Sequence, residues 1–399
     1  MVLSVQNLNG EMIDRLKKIF QSKKKVDLLL YDTIFPNPIS GFRMAEFTAL
    51  LKHYDHSKII VNPTDYKVVH QSESQHSLDL KALEENSKLV YNKIKLGSLK
   101  DILNINAKLF YCVFLNIIFD CLPYLEKNKT DFIFTLYPGG GFNTKNESSL
   151  KKLKTVLNSP FFKGVIVTQE FTRNFIIEKF NCPEDKIHYI FGGIIPQNSI
   201  NIERQRRYKN GDSLNICFCS AKYMSKGLDK GFDVFIESAK LLLKRNYNVK
   251  FSIIGGFDKD EIPLDEFSDS FTFYGYRKYE DLSEIFLEQD IIVSPNRPFI
   301  LNDGSFDGFP LGAVVEAALN GVIPVITDEL QQNSHFSESE IIIIKPEVED
   351  VFQSIEHLIN NEKTVYLISQ NIQAKCRKIY SNENQLNQRL KILDQNIYD

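Results

Sequence analysis

The stretch 305–321, SFDGFPLGAVVEAALNG, places two carboxylates on either side of a helix start. Asp307 stands in a Gly/Pro-rich turn, DGFPLG, and the residues after it turn apolar at helical spacing. A helix N-terminus offers free N–H groups and a partial positive charge, which suits phosphate. Gly308 and Gly312 let a ligand approach the backbone, Phe309 and Leu311 shape the turn, and Pro310 falls near the first helical turn, where proline is tolerated. Glu316 lies further along the helix Leu311–Leu319, among Ala313, Val314, Val315, Ala317, Ala318 and Leu319. A carboxylate there is costly unless it finds donors, and the hydroxyls of a ribose would supply them. Asp307 would accept from sugar hydroxyls on the far side of a diphosphate. An equally open reading makes Asp307 a helix cap and lets Glu316 reach solvent at the helix edge.

The elements that must position these residues follow from the pattern of apolar runs. Strand-type runs occur at 26–32, 57–62, 130–136, 163–169 and 186–191, with helical patterns at 42–53 and 170–180 between them. The segment 192–213 is polar and aperiodic and reads as a linker. Alternation restarts at 214–220 and continues through 249–256, 271–275, 290–296, 321–328 and 340–346. Phe232, Phe235, Ile236, Ala239 and Leu243 fall on one face of a helix over 230–245, and Val348, Val351, Phe352, Ile355, Leu358 and Ile359 on one face of another. Strands alternating with helices predict an α/β protein with parallel sheets covered on both faces. The most apolar stretch, Leu109–Leu122, is expected to be a buried helix. Two doubly wound sheets in tandem create a cleft, and ligands in such sheets bind beyond the carboxyl ends of the strands.

Bulk properties agree with two domains. The chain has 399 residues, 43% hydrophobic and 25% charged, with a formal net charge of −3, which gives no electrostatic sign of a nucleic-acid partner. The six cysteines have neither zinc-site spacing nor a disulfide framework, so a reducing, cytoplasmic location is expected. No apolar run reaches the length of a membrane span. An N-terminal helix carrying Met12, Ile13, Leu16, Ile19 and Phe20 before Lys23-Lys24-Lys25 leaves peripheral contact with the inner face of a membrane open, but packing on its own domain is the favoured reading.

The segment DGFPLGAVVEA resembles the acid–x7–Glu signature of retaining glycosyltransferases of the GT-B fold, family 4 (glycosyltransferases group 1), whose usual form is close to EGFPxxxxEA. It departs by Asp for Glu and by one extra residue between the acids, and Asp303 is a rival for the donor-sugar place. SAKYMSKGLDKGFDVFIESAKLL resembles the family's basic loop, in which two cations neutralise the donor diphosphate. Lys230 matches the lysine of KG; Lys222 is the better match to the other cation, with Lys226 an alternative. Without the resemblance, a solvated lysine-rich loop is the plainer reading. FTFYGYRKYEDLSEIFLEQDIIVSPN resembles the block that holds the base, with Tyr276 and Arg277 at that place. In the N-terminal half the likeness is one of layout. Gly41 follows the first strand as the family's glycine loop does. In TLYPGGGF, Gly140 and Gly141 stand where many relatives carry a histidine, and they offer either amides near the reacting sugar or merely a tight turn.

The resemblance implies two Rossmann-like domains: residues 1–200 binding the acceptor, 201–375 binding a nucleotide diphospho-sugar donor, and a helical tail, 376–399, packing back on the first. It implies a hexosyltransferase acting on a glycan or lipid-linked glycan, in bacterial surface glycan synthesis, with no cofactor and no metal. A nucleotide-sugar 2-epimerase of the same fold and a non-catalytic nucleotide-binding scaffold are the alternatives. The D-x-D at 258–260 lies in a charged loop and is not expected to hold metal; nor are the histidines, which lack ligand spacing.

Overall fold

The computed structural model describes residues 24–63, 73–196 and 208–399. The N-terminal helix expected around Met12–Phe20 and the middle of the linker lie outside them. The first sheet contains β1 (Lys24–Asp32), β2 (Ser57–Val61), β3 (Ile94–Leu96), β4 (Ile105–Val113), β5 (Asp131–Leu136), β6 (Phe162–Val167) and β7 (Ile187–Tyr189). Its order is β3-β2-β1-β4-β5-β6-β7, with every pairing parallel. The second contains β8 (Leu214–Ser220), β9 (Val249–Gly255), β10 (Phe271–Gly275), β11 (Ile291–Ser294), β12 (Ile323–Thr327) and β13 (Ile342–Ile344). It is also parallel, in the order β10-β9-β8-β11-β12-β13.

The helices in chain order are α1 (Gly41–His53), α2 (Glu73–Asn86), α3 (Lys88–Tyr91), α4 (Leu115–Asn128), α5 (Glu147–Leu157), α6 (Glu170–Phe180), α7 (Phe232–Lys244), α8 (Tyr279–Leu287), α9 (Gly312–Leu319), α10 (Val348–Ile359), α11 (Glu362–Ile379) and α12 (Leu386–Tyr398). They cover both faces of each sheet, so successive strand residues enter opposite cores. Leu29, Tyr31, Phe110 and Cys112 join one cluster, while Leu28, Leu30, Leu109 and Tyr111 join the other.

One expectation is corrected. Leu109–Leu122 is not a single helix: its first part belongs to β4, the central neighbour of β1, and its second to α4. A strand buried on both faces is apolar without a gap, and over so short a run it has the same pattern as a buried helix. The break is Phe114, at φ 76 and ψ 146, a conformation that side-chain-bearing residues rarely adopt. The edge strand β3 carries too few apolar residues to stand out in the sequence.

The halves are tied together at several places, two of them at opposite ends of the cleft. After Tyr380 the chain crosses back, and α12 sets Leu393 and Ile397 into the N-terminal core beside Leu30 and Phe47. The guanidinium of Arg389, itself buried, donates to the carbonyl of Gly192 at 3.1 Å and lies 4.0 Å from Glu46, whose carboxylate also accepts from Tyr111 and Tyr137. At the other end of the cleft, the loop after β11 reaches across. Phe306 packs edge-on against Phe142 and Phe171, and the Thr144 amide donates to the carbonyl of Gly304 at 3.0 Å.

Candidate functional site

Each sheet reverses its strand order beside its first strand, between β1 and β4 and between β8 and β11. Loops leaving the carboxyl ends of strands flanking such a reversal diverge and open a crevice. Here the two crevices face one another. The loops after β4, β5, β8 and β11 line a cavity of about 890 Å³.

Lys230 is its central cation. The loop after β8 ends in Gly231, at φ 68, which starts α7. A Cβ on Gly231 would stand 2.1 Å from the carbonyl oxygen of Pro295, so only glycine allows the β8 and β11 loops to meet. That contact delivers Lys230 to Asp307, and Nζ lies 2.7 and 2.6 Å from the two carboxylate oxygens. Asp229 is 3.4 Å away, and neither oxygen of its carboxylate has a hydrogen-bond partner among the described residues. Burial works against the ammonium, but Asp307 and then Asp229 outweigh it, and the Lys230 pKa is raised. Asn296 steadies the pair by donating to Asp307 at 2.9 Å, and its own amide oxygen accepts from Ser294 at 2.8 Å. The exposed ring of Tyr223 lies 5.0 Å from Lys230 Nζ.

Glu316 occupies a second locus. It is 8% exposed on α9, and one carboxyl oxygen has no hydrogen-bond partner among the described residues. Desolvation raises its pKa to about 8. The other oxygen lies 3.3 Å from where a Cβ on Gly41 would stand, so the start of α1, from the opposite domain, is directly against it. No side chain caps the start of α9, and Gly312 there is exposed. Pro310 precedes the capping residue Leu311 and so lies outside the first helical turn. Gly308 and Phe309 face Gln169 of the first domain; its side-chain amide reaches the Phe309 carbonyl at 3.4 Å.

The sequence-selected residues therefore fall in several places. Lys230, Asp307, Gly140 and Gly141 line one cavity, as does Asp303, which pairs with Lys145 across the cleft at 2.8 Å. Gly41 and Glu316 are in register with each other. Lys222 does not line the cavity; its ammonium is held by Glu261, whose pKa that hydrogen bond lowers. The amide of Lys222 approaches the Tyr276 hydroxyl at 3.4 Å, and Arg277 is exposed beside it. Asp229, Asn296 and Glu261 were not singled out from the sequence. Asp229 adjoins the KG pair and Asn296 ends the SPN run after a strand, so both carried a positional signal. Among the described residues, no group of three or more His, Cys, Asp or Glu side chains is placed to hold a metal ion.

Two Rossmann-like domains whose strand ends face each other across a cation-bearing cleft define the GT-B fold. Similar solved structures include a glycosyltransferase from Rickettsia africae (12% identity, 94% of this chain and 99% of that one, TM-score 0.68). HepE from Anabaena in complex with UDP-glucose is similar over 93% of this chain and 98% of that one (12% identity, TM-score 0.66). So is sucrose-phosphate synthase from Thermosynechococcus elongatus, over 93% and 98% (13% identity, TM-score 0.61). A search of curated proteins finds no match. Residues 214–375 match the family model Glycosyl transferases group 1, and the fold of the chain is that of the GT-B structures above.

Proposed function

We propose that the protein transfers a sugar from a nucleotide diphospho-sugar to a hydroxyl acceptor with retention of anomeric configuration. The observation that carries this reading is the orphan carboxyl of Glu316, buried where α1 and α9 meet and lacking the donors that a ribose would bring. Lys230 then takes the diphosphate, and Asp307, released from its ammonium, accepts from hydroxyls of the donor sugar. The base lies toward Tyr276 and Arg277. The bond from the sugar's anomeric carbon to the phosphate oxygen breaks while the acceptor oxygen enters on the same face. The acceptor proton passes to the departing phosphate. Lys230, the start of α9 and Lys222, once freed from Glu261, stabilise the charge on the leaving group without a metal ion. Amides of Gly140 and Gly141 stand near the reacting sugar, and the acceptor approaches from the N-terminal domain. The Lys-, Asn- and Ile-rich composition fits an AT-rich bacterial genome, and the resemblance to bacterial relatives, by association alone, extends the proposal to surface glycan synthesis at the cytoplasmic side of the membrane. Among the described residues no helix is long and apolar enough to cross a membrane.

A thermal-shift panel of UDP-, GDP-, ADP- and dTDP-sugars tests the donor class, since a ligand bound only by the folded state raises its melting temperature. One nucleotide series is expected to stand out. The hit is then incubated with oligosaccharide acceptors in the presence of EDTA, and NMR of the product reads the new anomeric linkage. An inverted linkage, or no shift with any nucleotide, refutes the proposal.

A further inference from the structure

The two walls of the cleft cavity differ in charge. On the C-terminal wall stand Asp229, Asp303 and Asp307 with Lys230 and Arg297; on the N-terminal wall there is no carboxylate among the lining residues, but there are two lysines, Lys145 and Lys152. Three of the four lining cations are matched with carboxylates: Lys230 with Asp307 at 2.6 Å, Arg297 with Asp233 at 2.5 Å and Lys145 with Asp303 at 2.8 Å. Lys152 differs. Its Nζ donates to the neutral amide oxygen of Asn116 at 2.8 Å and lies 5.4 Å from the Phe119 ring, and among the described residues it has no carboxylate partner. The amides of Gly140 and Gly141, in the same wall, donate to no acceptor among the described residues.

We infer that the acceptor is anionic and carries its negative group, a phosphate or a carboxylate, against Lys152. This rests on the transferase reading and extends it from a hydroxyl acceptor to a charged one. The group would displace Asn116 from Nζ, replacing a neutral hydrogen bond with a charge-assisted one. Lys145 reinforces it, because its pair with Asp303 is exposed on both sides and costs little to exchange. The acidic wall opposite would repel the same group, so the charge asymmetry also orients the acceptor, with its anion toward α5 and its free hydroxyl toward Asp307.

The test uses the full chain and three probes of matched size: glucose, glucose 6-phosphate and glucuronate. Binding is measured by saturation-transfer NMR, with and without the nucleoside diphosphate that gives the largest thermal shift. At least one charged sugar should bind about fivefold more tightly than glucose, the worth of one partly screened ion pair. The ranking of the phosphate and carboxylate arms tells which group the wall prefers. Lys152→Gln, a change on a partly exposed helix face, should abolish the preference, and high salt should weaken it. Equal binding of all three sugars, no detectable binding of any, or a preference that survives in Lys152→Gln overturns the inference. Failure of every nucleotide to bind would instead count against the transferase reading, and the sugar series without nucleotide keeps the two outcomes apart.

Discussion

Replacing Glu316 by glutamine removes the most strongly perturbed carboxyl beside the cleft while keeping its shape. In the folded chain its pKa rises from the ordinary 4.5 to about 8, through desolvation. A raised carboxyl means that the folded state holds a proton which the unfolded state has already released. Stability contributed by this group is therefore undiminished below pH 4.5 and falls as pH climbs from there to about 8. That rise in pKa gives a ceiling of about 5 kcal/mol, of which about 3 is already lost at pH 7. Glu316→Gln should be free of this slope. Urea unfolding of both proteins between pH 5 and 9 should show wild type losing ground to the variant steadily up to pH 8. A constant difference across that range would refute the assignment of Glu316 as a buried, partnerless acid. Ribose hydroxyls donate best to a carboxylate, so donor binding should expel the proton. Wild-type affinity for a sugar nucleotide should therefore rise between pH 6 and 8, and the affinity of Glu316→Gln should be weaker and flat.

Three further perturbations probe the cation loci. Lys230→Ala should lower kcat about 100- to 1,000-fold with far-UV circular dichroism unchanged, because one preorganised charge on the leaving group is lost; retention of a tenth of the activity would refute the role. Glu261→Gln should release Lys222 and tighten nucleoside diphosphate binding about threefold or more by calorimetry, whereas unchanged affinity would mean that Lys222 does not reach the phosphates. Gly231→Ala places a Cβ 2.1 Å from the Pro295 carbonyl oxygen at φ 68. It should cost about 3 kcal/mol, which a melting curve reads as a drop of roughly 6–12 °C.

What the sequence made legible was whatever departed from its local pattern. Glu316 stood out because a carboxylate inside an apolar helix has no cheap explanation, and burial without a partner is what the fold provides. Lys230 was found through its resemblance to the lysine of the family's KG pair, and the Pro295 contact supplies the physical reason for the glycine that follows it. Leu109–Leu122 misled because burial on both faces erases the alternation that separates strand from helix, and only the backbone at Phe114 marks the change. Partners far apart in the chain left no trace at all. Glu261 lies in the charged loop with the D-x-D, 39 residues from Lys222, and no local rule joins them. The cross-cleft packing of Phe306 onto Phe142 and Phe171 was equally hidden, since an aromatic in a Gly/Ser turn reads as exposed until the opposing loop is in place.

The ion pairs of the cleft are best understood through the cost of leaving charge buried. Lys230 is almost inaccessible, and a lone ammonium there would be neutralised or would unfold the loop. Asp307 prevents this by pairing with it; Glu261 does the same for Lys222 nearby. In the proposed reaction each pair occupies, in advance, the geometry of a substrate contact. An incoming diphosphate replaces Asp307 and Glu261 on the lysines, sugar hydroxyls replace Lys230 on Asp307, and Glu261 keeps the hydrogen bond from the Lys226 amide. Glu316 solves the same problem differently: having no cation, it keeps its proton until hydroxyls arrive. Asp229 contacts Lys230, its carboxylate oxygens have no hydrogen-bond partner among the described residues, and it need not move in that exchange. In the proposed reaction it would keep Lys230 charged while Asp307 is away, which gives a reason for one buried and one half-buried acid beside a single lysine.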